Sequence, residues 1–190
     1  MQALLPEPRG LTLDLGCGEG RGARELLAVG HRVVGVDTSP TLARAAHDRG
    51  TTVLVADARR LPIASHSISL CFACMSLLDI EDLESALSEV DRVLAPTGAL
   101  VAAIVHPTAS MFDLPRKRAD ELVLPAPYLT ERRYDDRAER DGVAATFSNL
   151  HRPLSAYFAP LFASGFAITG FSETGRNPVP WCLAFRAERR

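Results

Sequence analysis

The chain has 190 residues, of which 47% are hydrophobic and 23% are charged, and its formal net charge is -2. These values are typical of one compact domain, and they exclude a disordered chain and a general nucleic-acid binder. No apolar run approaches the ~20 residues of a membrane helix, and no signal segment opens the chain, so we expect a cytoplasmic protein without a membrane partner.

Apolar runs alternate with helix-like segments in the first half, which predicts a parallel sheet with helices on both faces. The runs read LTLDLG, RVVGVD, TTVLVAD, SISLCFAC and ALVAAIV. Spacing and end signals predict helices over Arg21 to Val29, from Ser39-Pro40 to about Arg49, and over Glu81 to Leu94.

Prolines and clustered charges replace this pattern over residues 107–150, and we interpret that segment as an insertion or a lid. HRPLSAYFAPLFASGF then predicts a helix that begins near His151 and ends at Gly165. AITGFSE and VPWCLAFRA are suited to a closing antiparallel pair. The fold class predicted is therefore α/β: a single Rossmann-like, doubly wound domain whose mostly parallel seven-stranded sheet has an antiparallel C-terminal strand.

The loop DLGCGEG follows the first apolar run directly and leads into a helix. Glycines at this junction expose backbone amides at the edge of the sheet where open α/β folds bind ligands, so Gly16, Gly18 and Gly20 are expected to line the site. Dinucleotides and S-adenosylmethionine both use this architecture. Asp14 favours the second ligand, because a carboxylate repels a pyrophosphate but can hold the ammonium group of a methionine moiety.

Arg21 and Asp57 further separate dinucleotides from S-adenosylmethionine, whereas Asp37 suits both. The dinucleotide fingerprint requires another glycine where this chain has Arg21. Asp37, at the end of the second run, can accept both ribose hydroxyls of either ligand. Asp57 ends the third run, where its carboxylate can accept from the exocyclic amine of adenine while the Ala58 amide donates to a ring nitrogen.

Four ordered motifs, DLGCGEG, VVGVDTSP, VLVADARRLPI and SALSEVDRVLAPTGAL, resemble those of class I S-adenosylmethionine-dependent methyltransferases, in their small-molecule branch. The resemblance runs from about Leu11 to His106. It implies S-adenosylmethionine as cofactor, with Asp14 and the glycine loop at its methionine end. The remaining residues that it places at the cofactor are Cys17 as a small filler, Asp37 and Thr38 at the ribose, Asp57 and Ala58 at the adenine, and Ala73, after the fourth strand, at the ammonium.

The sequence departs from the family pattern at three places. It has Ser67-Ile68-Ser69 where relatives carry an aspartate, and Pro96-Thr97-Gly98 where they carry a PGG turn. Relatives also have a helical segment before the first strand that covers the cofactor, whereas only Met1 to Gly10 precede it here. Residues 107–150 are one candidate for that cover, and an unusually open site or a truncated chain is the alternative.

Methyl transfer depends mainly on positioning, because the cofactor supplies the activated leaving group. Where a base is needed, His106 is the first candidate, since it follows the fifth strand at the binding edge. A histidine bonded to backbone is the alternative. His151 is the second candidate, with a structural role at a helix start as its alternative, and Tyr157 borders the same region.

Other residues have less specific interpretations. The acceptor-side candidates are Met75, Asp79, Phe112 and Trp181, for whose apolar members ordinary core packing is the alternative. Cys71 and Cys74 form a lone CxxC that we interpret as buried thiols, so no metal is predicted. The basic patch Arg116 to Arg118 is suited either to an anionic acceptor or to a solvated lid.

The sequence therefore predicts an enzyme that moves a methyl group from S-adenosylmethionine to oxygen, nitrogen or carbon of a small-molecule acceptor. The identity of the acceptor and the oligomeric state stay open. One alternative is a non-catalytic or regulatory protein that binds the same cofactor, and another is an NAD(P)-dependent dehydrogenase.

Overall fold

The computed structural model describes residues 1–111, 127–140, 143–176 and 179–190. The strands of the main sheet are β1 (Leu11–Leu15), β2 (Arg32–Asp37), β3 (Thr52–Val55), β4 (Ile68–Cys74), β5 (Leu94–Val105), β8 (Phe166–Arg176) and β9 (Val179–Arg189). Strands β6 (Arg132–Arg140) and β7 (Val143–His151) form a separate hairpin. The helices are α1 (Arg21–Ala28), α2 (Pro40–Asp48), α3 (Leu83–Val93), α4 (Pro107–Met111) and α5 (Leu154–Ala163).

The main sheet has the strand order β3-β2-β1-β4-β5-β9-β8, which confirms the predicted seven-stranded fold. Strands β1 to β5 pair in parallel, and β9 runs antiparallel to both of its neighbours. The chain order reverses between β1 and β4. A crevice for ligands forms at such a point, outside the carboxyl ends of the strands.

Local signals explain where the helices begin. The Ser39 hydroxyl accepts a hydrogen bond from the Leu42 amide at the start of α2, and Pro40 occupies the first turn. The Asp82 carboxylate caps α3 in the same way, by accepting from the Ser85 amide at 3.0 Å. The three helices predicted in the first half are confirmed to within two residues at their ends.

Two apolar layers cover the sheet. The larger core lies between the sheet and helices α3 and α5, and includes the fully buried side chains of Leu15, Leu100 and Phe185. A smaller cluster on the other face joins Leu26 of α1 to Phe72 of β4, and the N-terminal residues Met1, Leu4 and Leu5 pack against it. Each large side chain buried in this way contributes about 1.5 to 3 kcal/mol to folding.

Two sequence-based expectations for the second half are corrected. Residues 132–140 and 143–151 pair as a hairpin, where the charge run Arg132 to Asp141 had suggested a solvated helix face, because the charged β6 sequence hides the apolar alternation that indicates a strand. The late helix begins at Leu154 rather than His151, which is the last residue of β7. Among the described helices, none combines the length and apolar character needed to cross a membrane.

Candidate functional site

The glycine loop between β1 and α1 has the backbone conformation that favours glycine. Gly16, Gly18 and Gly20 have positive φ angles of 68°, 55° and 83°. A Cβ atom at Gly16 would overlap the side chain of Ser76, whose hydroxyl donates to the Leu15 carbonyl at 2.6 Å. The loop after β4 therefore packs directly against the glycine loop, a contact that sequence reasoning missed because it joins distant parts of the chain.

Asp14 is the buried acidic group of the site. It lies in β1 and is 2% exposed, and its Oδ2 atom has no hydrogen-bond partner among the described residues. Burial raises its pKa to about 7; a hydrogen bond from the Ala23 backbone opposes this, and the negative charge of Asp37 adds to it. A Cβ atom at Gly22 would lie 3.1 Å from Oδ2, so a larger residue at this position would crowd that oxygen.

Asp37, the last residue of β2, organises the second side of the loop. Its Oδ2 accepts from the Gly18 amide and its Oδ1 from the Ser39 amide, each at 2.8 Å. A carboxylate has about four acceptor sites, so lone pairs remain on both oxygens for ligand hydroxyls. Thr38, which follows it, is exposed.

Asp57 lies beyond the end of β3 and is engaged by its own neighbour. The Arg59 side chain donates to both carboxylate oxygens at 2.6 to 3.0 Å. These hydrogen bonds hold the pKa of Asp57 below its ordinary value. An adenine amine at this carboxylate would share it with Arg59, a partner that the sequence analysis did not anticipate. Ala58 beside it is buried.

Ala73 lies one residue before the end of β4, rather than after the strand as expected, and it pairs with Ala102 of β5. Of the two CxxC thiols, Cys71 is buried but Cys74 is exposed, so the expectation of two buried thiols is wrong for Cys74. Within the described residues no cluster of potential metal ligands occurs.

A cavity of about 620 Å³ opens beside the glycine loop, and we call it the Asp14 cavity. Its lining includes four of the predicted cofactor residues: Asp14, Gly16, Cys17 and Gly18. The other lining residues are Met1, Gln2, Leu5, Glu19, Arg21, Gly22, Glu25, Leu26, Val29, Phe72, Cys74, Met75 and Trp181. Met75 and Trp181 were predicted on the acceptor side, and both line it.

Other predicted residues lie outside this lining. Asp79 is absent from it, and Phe112 and the basic patch of residues 116–118 lie outside the described residues. In the described parts of residues 107–150 no residue lines the Asp14 cavity, whereas Met1, Gln2 and Leu5 do. A lid role for residues 107–150 stays a prediction.

His106 is 5% exposed and forms hydrogen bonds through both ring nitrogens. Its Nδ1 accepts from the Thr108 amide at 3.1 Å and lies 2.6 Å from the Thr108 hydroxyl, at the start of α4. Its Nε2 lies 2.8 Å from Oε1 of Glu173. The geometry gives this histidine structural partners at both nitrogens, and its role as a base stays a prediction.

His151 is also buried and bonded at both nitrogens. Its Nε2 donates to the Tyr128 carbonyl at 2.9 Å, and its Nδ1 lies 2.8 Å from the Ser110 hydroxyl. A catalytic role for His151 likewise stays a prediction. The adjacent Arg152 was not singled out from the sequence, since an isolated arginine is normally solvated.

Arg152 is 2% exposed and joins three parts of the chain. Its guanidinium donates to the carbonyls of Leu77, Ile80 and Glu81, at 2.5 to 3.3 Å. Its Nε lies 3.4 Å from a carboxylate oxygen of Glu131. The loop that follows β4 is thus held in place from the start of α5.

Comparison with known proteins agrees with this geometry. Residues 13–102 match the family described as "Methyltransferase domain". The chain is 34% identical over 107 residues to the uncharacterized methyltransferase YodH of Bacillus subtilis, covering 53% of this chain and 46% of YodH. It is 37% identical over 103 residues to the malonyl-[acyl-carrier protein] O-methyltransferase of Halorhodospira halophila, covering 50% of this chain and 35% of that enzyme.

The chain thus spans less than half the length of these two relatives. Its similarity to one solved structure extends much further. The S-adenosylmethionine-dependent methyltransferase of Mesorhizobium loti superposes with a TM-score of 0.79 at 25% identity, over 99% of this chain and 95% of that one. In its sequence motifs, its matched domain and its fold, the chain is similar to the class I S-adenosylmethionine-dependent methyltransferases.

Proposed function

We propose that this protein transfers the methyl group of S-adenosylmethionine to a small-molecule acceptor. The observation that carries the proposal is the buried Asp14 carboxylate: its Oδ2 has no hydrogen-bond partner in the described residues, and Asp14 lines a cavity beside the glycine loop. An isolated buried charge is costly unless it is paired. The ammonium of the cofactor's methionine moiety is a suitable partner, and the pyrophosphate of a dinucleotide is not.

The residues present fit the cofactor that the family implies. Asp14 and the loop of Gly16, Cys17, Gly18 and Gly20 would hold the methionine end, with the Ala73 carbonyl as a second acceptor for the ammonium. Asp37 and Thr38 would hold the ribose. Asp57 and the Ala58 amide would hold the adenine, with the Asp57 carboxylate shared with Arg59.

Methyl transfer requires little acid–base catalysis from the protein's own residues. When bound, the cofactor supplies a methyl group on a positively charged sulfur, and the acceptor's lone pair forms the new bond as the sulfur–carbon bond breaks. Positioning alone can contribute roughly 7 to 11 kcal/mol to the rate acceleration. The loop after β4 and the glycine loop, which pack together through Ser76 and Gly16, would provide that positioning. His106 or His151 would act as base only for an acceptor that must lose a proton.

Calorimetric titration of S-adenosylmethionine into the wild-type protein and Asp14→Asn tests the proposal. We expect the variant to bind about 10- to 100-fold more weakly, because a charge-assisted hydrogen bond worth roughly 1.5 to 3 kcal/mol is lost. Asp48→Asn, an exposed change at the end of α2, is the matched control and should bind as the wild type does. NADH should show no binding.

Equal affinity in Asp14→Asn, or tight NADH binding without S-adenosylmethionine binding, would contradict the proposal. Transfer of a radiolabelled methyl group into a metabolite panel separates the enzyme from a cofactor-binding regulator. We further infer a cytoplasmic location, since all four cysteines are free thiols.

A further inference from the structure

The Asp14 cavity extends well past the residues assigned to the cofactor. The proposed ribose and adenine ligands, Asp37 and Asp57, do not line it, so only the methionine end of the cofactor would enter. A volume of about 620 Å³ lies within the range of cavities that enclose a small organic ligand. Space for a second molecule therefore adjoins the proposed methyl donor.

The wall of this remaining space is apolar. It is formed by Leu5, Leu26, Val29, Phe72, Met75 and Trp181. Val29 is 50% exposed and Trp181 is 49% exposed, so the described chain leaves much of this apolar surface uncovered. A ligand that covered it would gain about 25 cal/mol for each Å² of apolar surface removed from water.

The charged lining residues disfavour an anion. Arg21 is the one cationic side chain in the described lining, and its Nε lies 3.3 Å from Oε1 of Glu25. The other charged lining residues are the carboxylates of Asp14 and Glu19, the latter bonded to Arg24 and Arg49. A carboxylate or phosphate on the acceptor would lose its hydration here and face three carboxylates, whereas the lining offers one cationic side chain, Arg21, whose charge Glu25 already offsets.

We propose, on the basis of the function proposed above, that the methyl acceptor is an apolar molecule without an anionic group, bound against Phe72, Met75 and Trp181. The group that receives the methyl is an uncharged hydroxyl or an amine. The carboxylates at the cavity attract the positive charge of a protonated amine, whereas they repel the negative charge of an ionised acid.

Trp181 provides a direct measurement, because it is the only tryptophan in the chain. The protein is saturated with S-adenosylhomocysteine and titrated with phenylpropanol, phenylpropylamine and phenylpropanoate, which share one carbon skeleton and differ in their end group. We expect the alcohol and the amine to change Trp181 emission saturably. The acid should bind at least about tenfold more weakly, a difference of ~1.4 kcal/mol.

The inference is overturned if the acid binds as tightly as the alcohol, or if none of the probes changes the emission. Calorimetry with S-adenosylhomocysteine alone is performed first. Failure of that binding counts against the proposed function, whereas failure of the probes in the loaded protein counts against the acceptor class only.

A variant that removes one negative charge from the cavity lining tests the acceptor preference independently. Glu25→Gln removes the partner of Arg21, so phenylpropanoate should bind severalfold more tightly while the alcohol is unaffected. Glu84→Gln, an exposed change on α3 away from the cavity, is the matched control and should alter neither. Unchanged acid binding in Glu25→Gln would show that the charge of the lining does not set the preference.

Discussion

At the scale of single residues, the site depends on the Asp14 carboxylate, one oxygen of which has no hydrogen-bond partner among the described residues. Asp14 is buried between β2 and β4, and its pKa rises to about 7 from an ordinary value of 3.8. Gly22 leaves space beside its Oδ2 that a Cβ atom would crowd, and Asp37 adds a second negative charge nearby. The arrangement costs stability in the free protein and favours a cationic ligand.

This cost makes the stability of the free protein depend on pH. The folded protein holds the Asp14 proton more tightly than the unfolded chain does, so the resulting stabilisation is complete below about pH 4 and is lost as the pH rises through about 7. The total corresponds to at most about 4 kcal/mol. Asp14→Asn should remove this dependence and be more stable than the wild type at pH 8, as measured by urea unfolding over a pH series.

The difference in the free energy of unfolding between Asp14→Asn and the wild type separates Asp14 from other titrating groups. One such group is Asp79, because partial burial raises its pKa to about 6. Asp48→Asn should give a difference that does not vary with pH. A constant difference for Asp14→Asn as well would mean that Asp14 does not titrate in this range.

At the scale of elements, the loop after β4 is fixed from two sides. Ser76 packs against Gly16 on the side of the cofactor, and Arg152 bonds three loop carbonyls from the start of α5. The β6–β7 hairpin joins the same region through the Leu150 amide, which donates to the Leu78 carbonyl. Elements from both halves of the chain thus hold one loop beside the site.

Arg152→Met should therefore destabilise the protein markedly. It leaves three carbonyls without their donor, at a cost of roughly 3 kcal/mol in the free energy of unfolding. Arg133→Met is the matched control, because its partner is the exposed Glu81 side chain, and it should cost less than about 1 kcal/mol. Chemical denaturation measures both, and equal effects would mean that the Arg152 bonds contribute no more than a surface ion pair.

At the scale of the whole molecule, the sheet brings the ends of β1, β2 and β4 to one crevice, so cofactor binding should stabilise the entire domain. S-adenosylhomocysteine at a hundred times its dissociation constant should contribute about 2.7 kcal/mol. For a chain of this size that corresponds to a rise in Tm of roughly 5 to 10 °C. Differential scanning calorimetry should show this rise with S-adenosylhomocysteine and none with NADH; similar shifts with both would contradict the selectivity.

The elements that could be predicted are those whose own sequence carries a local pattern, such as apolar alternation or a helix cap. The alternating runs and helix caps indicated β1 to β5 and α1 to α3, and the glycine loop with its acidic residues indicated where the proposed cofactor site lies. The β6–β7 hairpin was missed because its first strand is charged. The bonding of Arg152 and the cavity wall contributed by Leu5 depend on contacts between residues far apart in sequence, which no local pattern reports.

The thiol inside the glycine loop has a practical consequence. Burial raises the pKa of Cys17 to about 12, with Asp14 and Asp37 adding to the effect, so this thiol keeps its proton at physiological pH. Only the thiolate reacts readily with oxidants and alkylating reagents. The thiol in this loop is thus unreactive. A label directed at sulfur would reach the exposed Cys74 first, but burial raises the pKa of that thiol as well, and Cys74 lines the same cavity, so a label there would occupy the site.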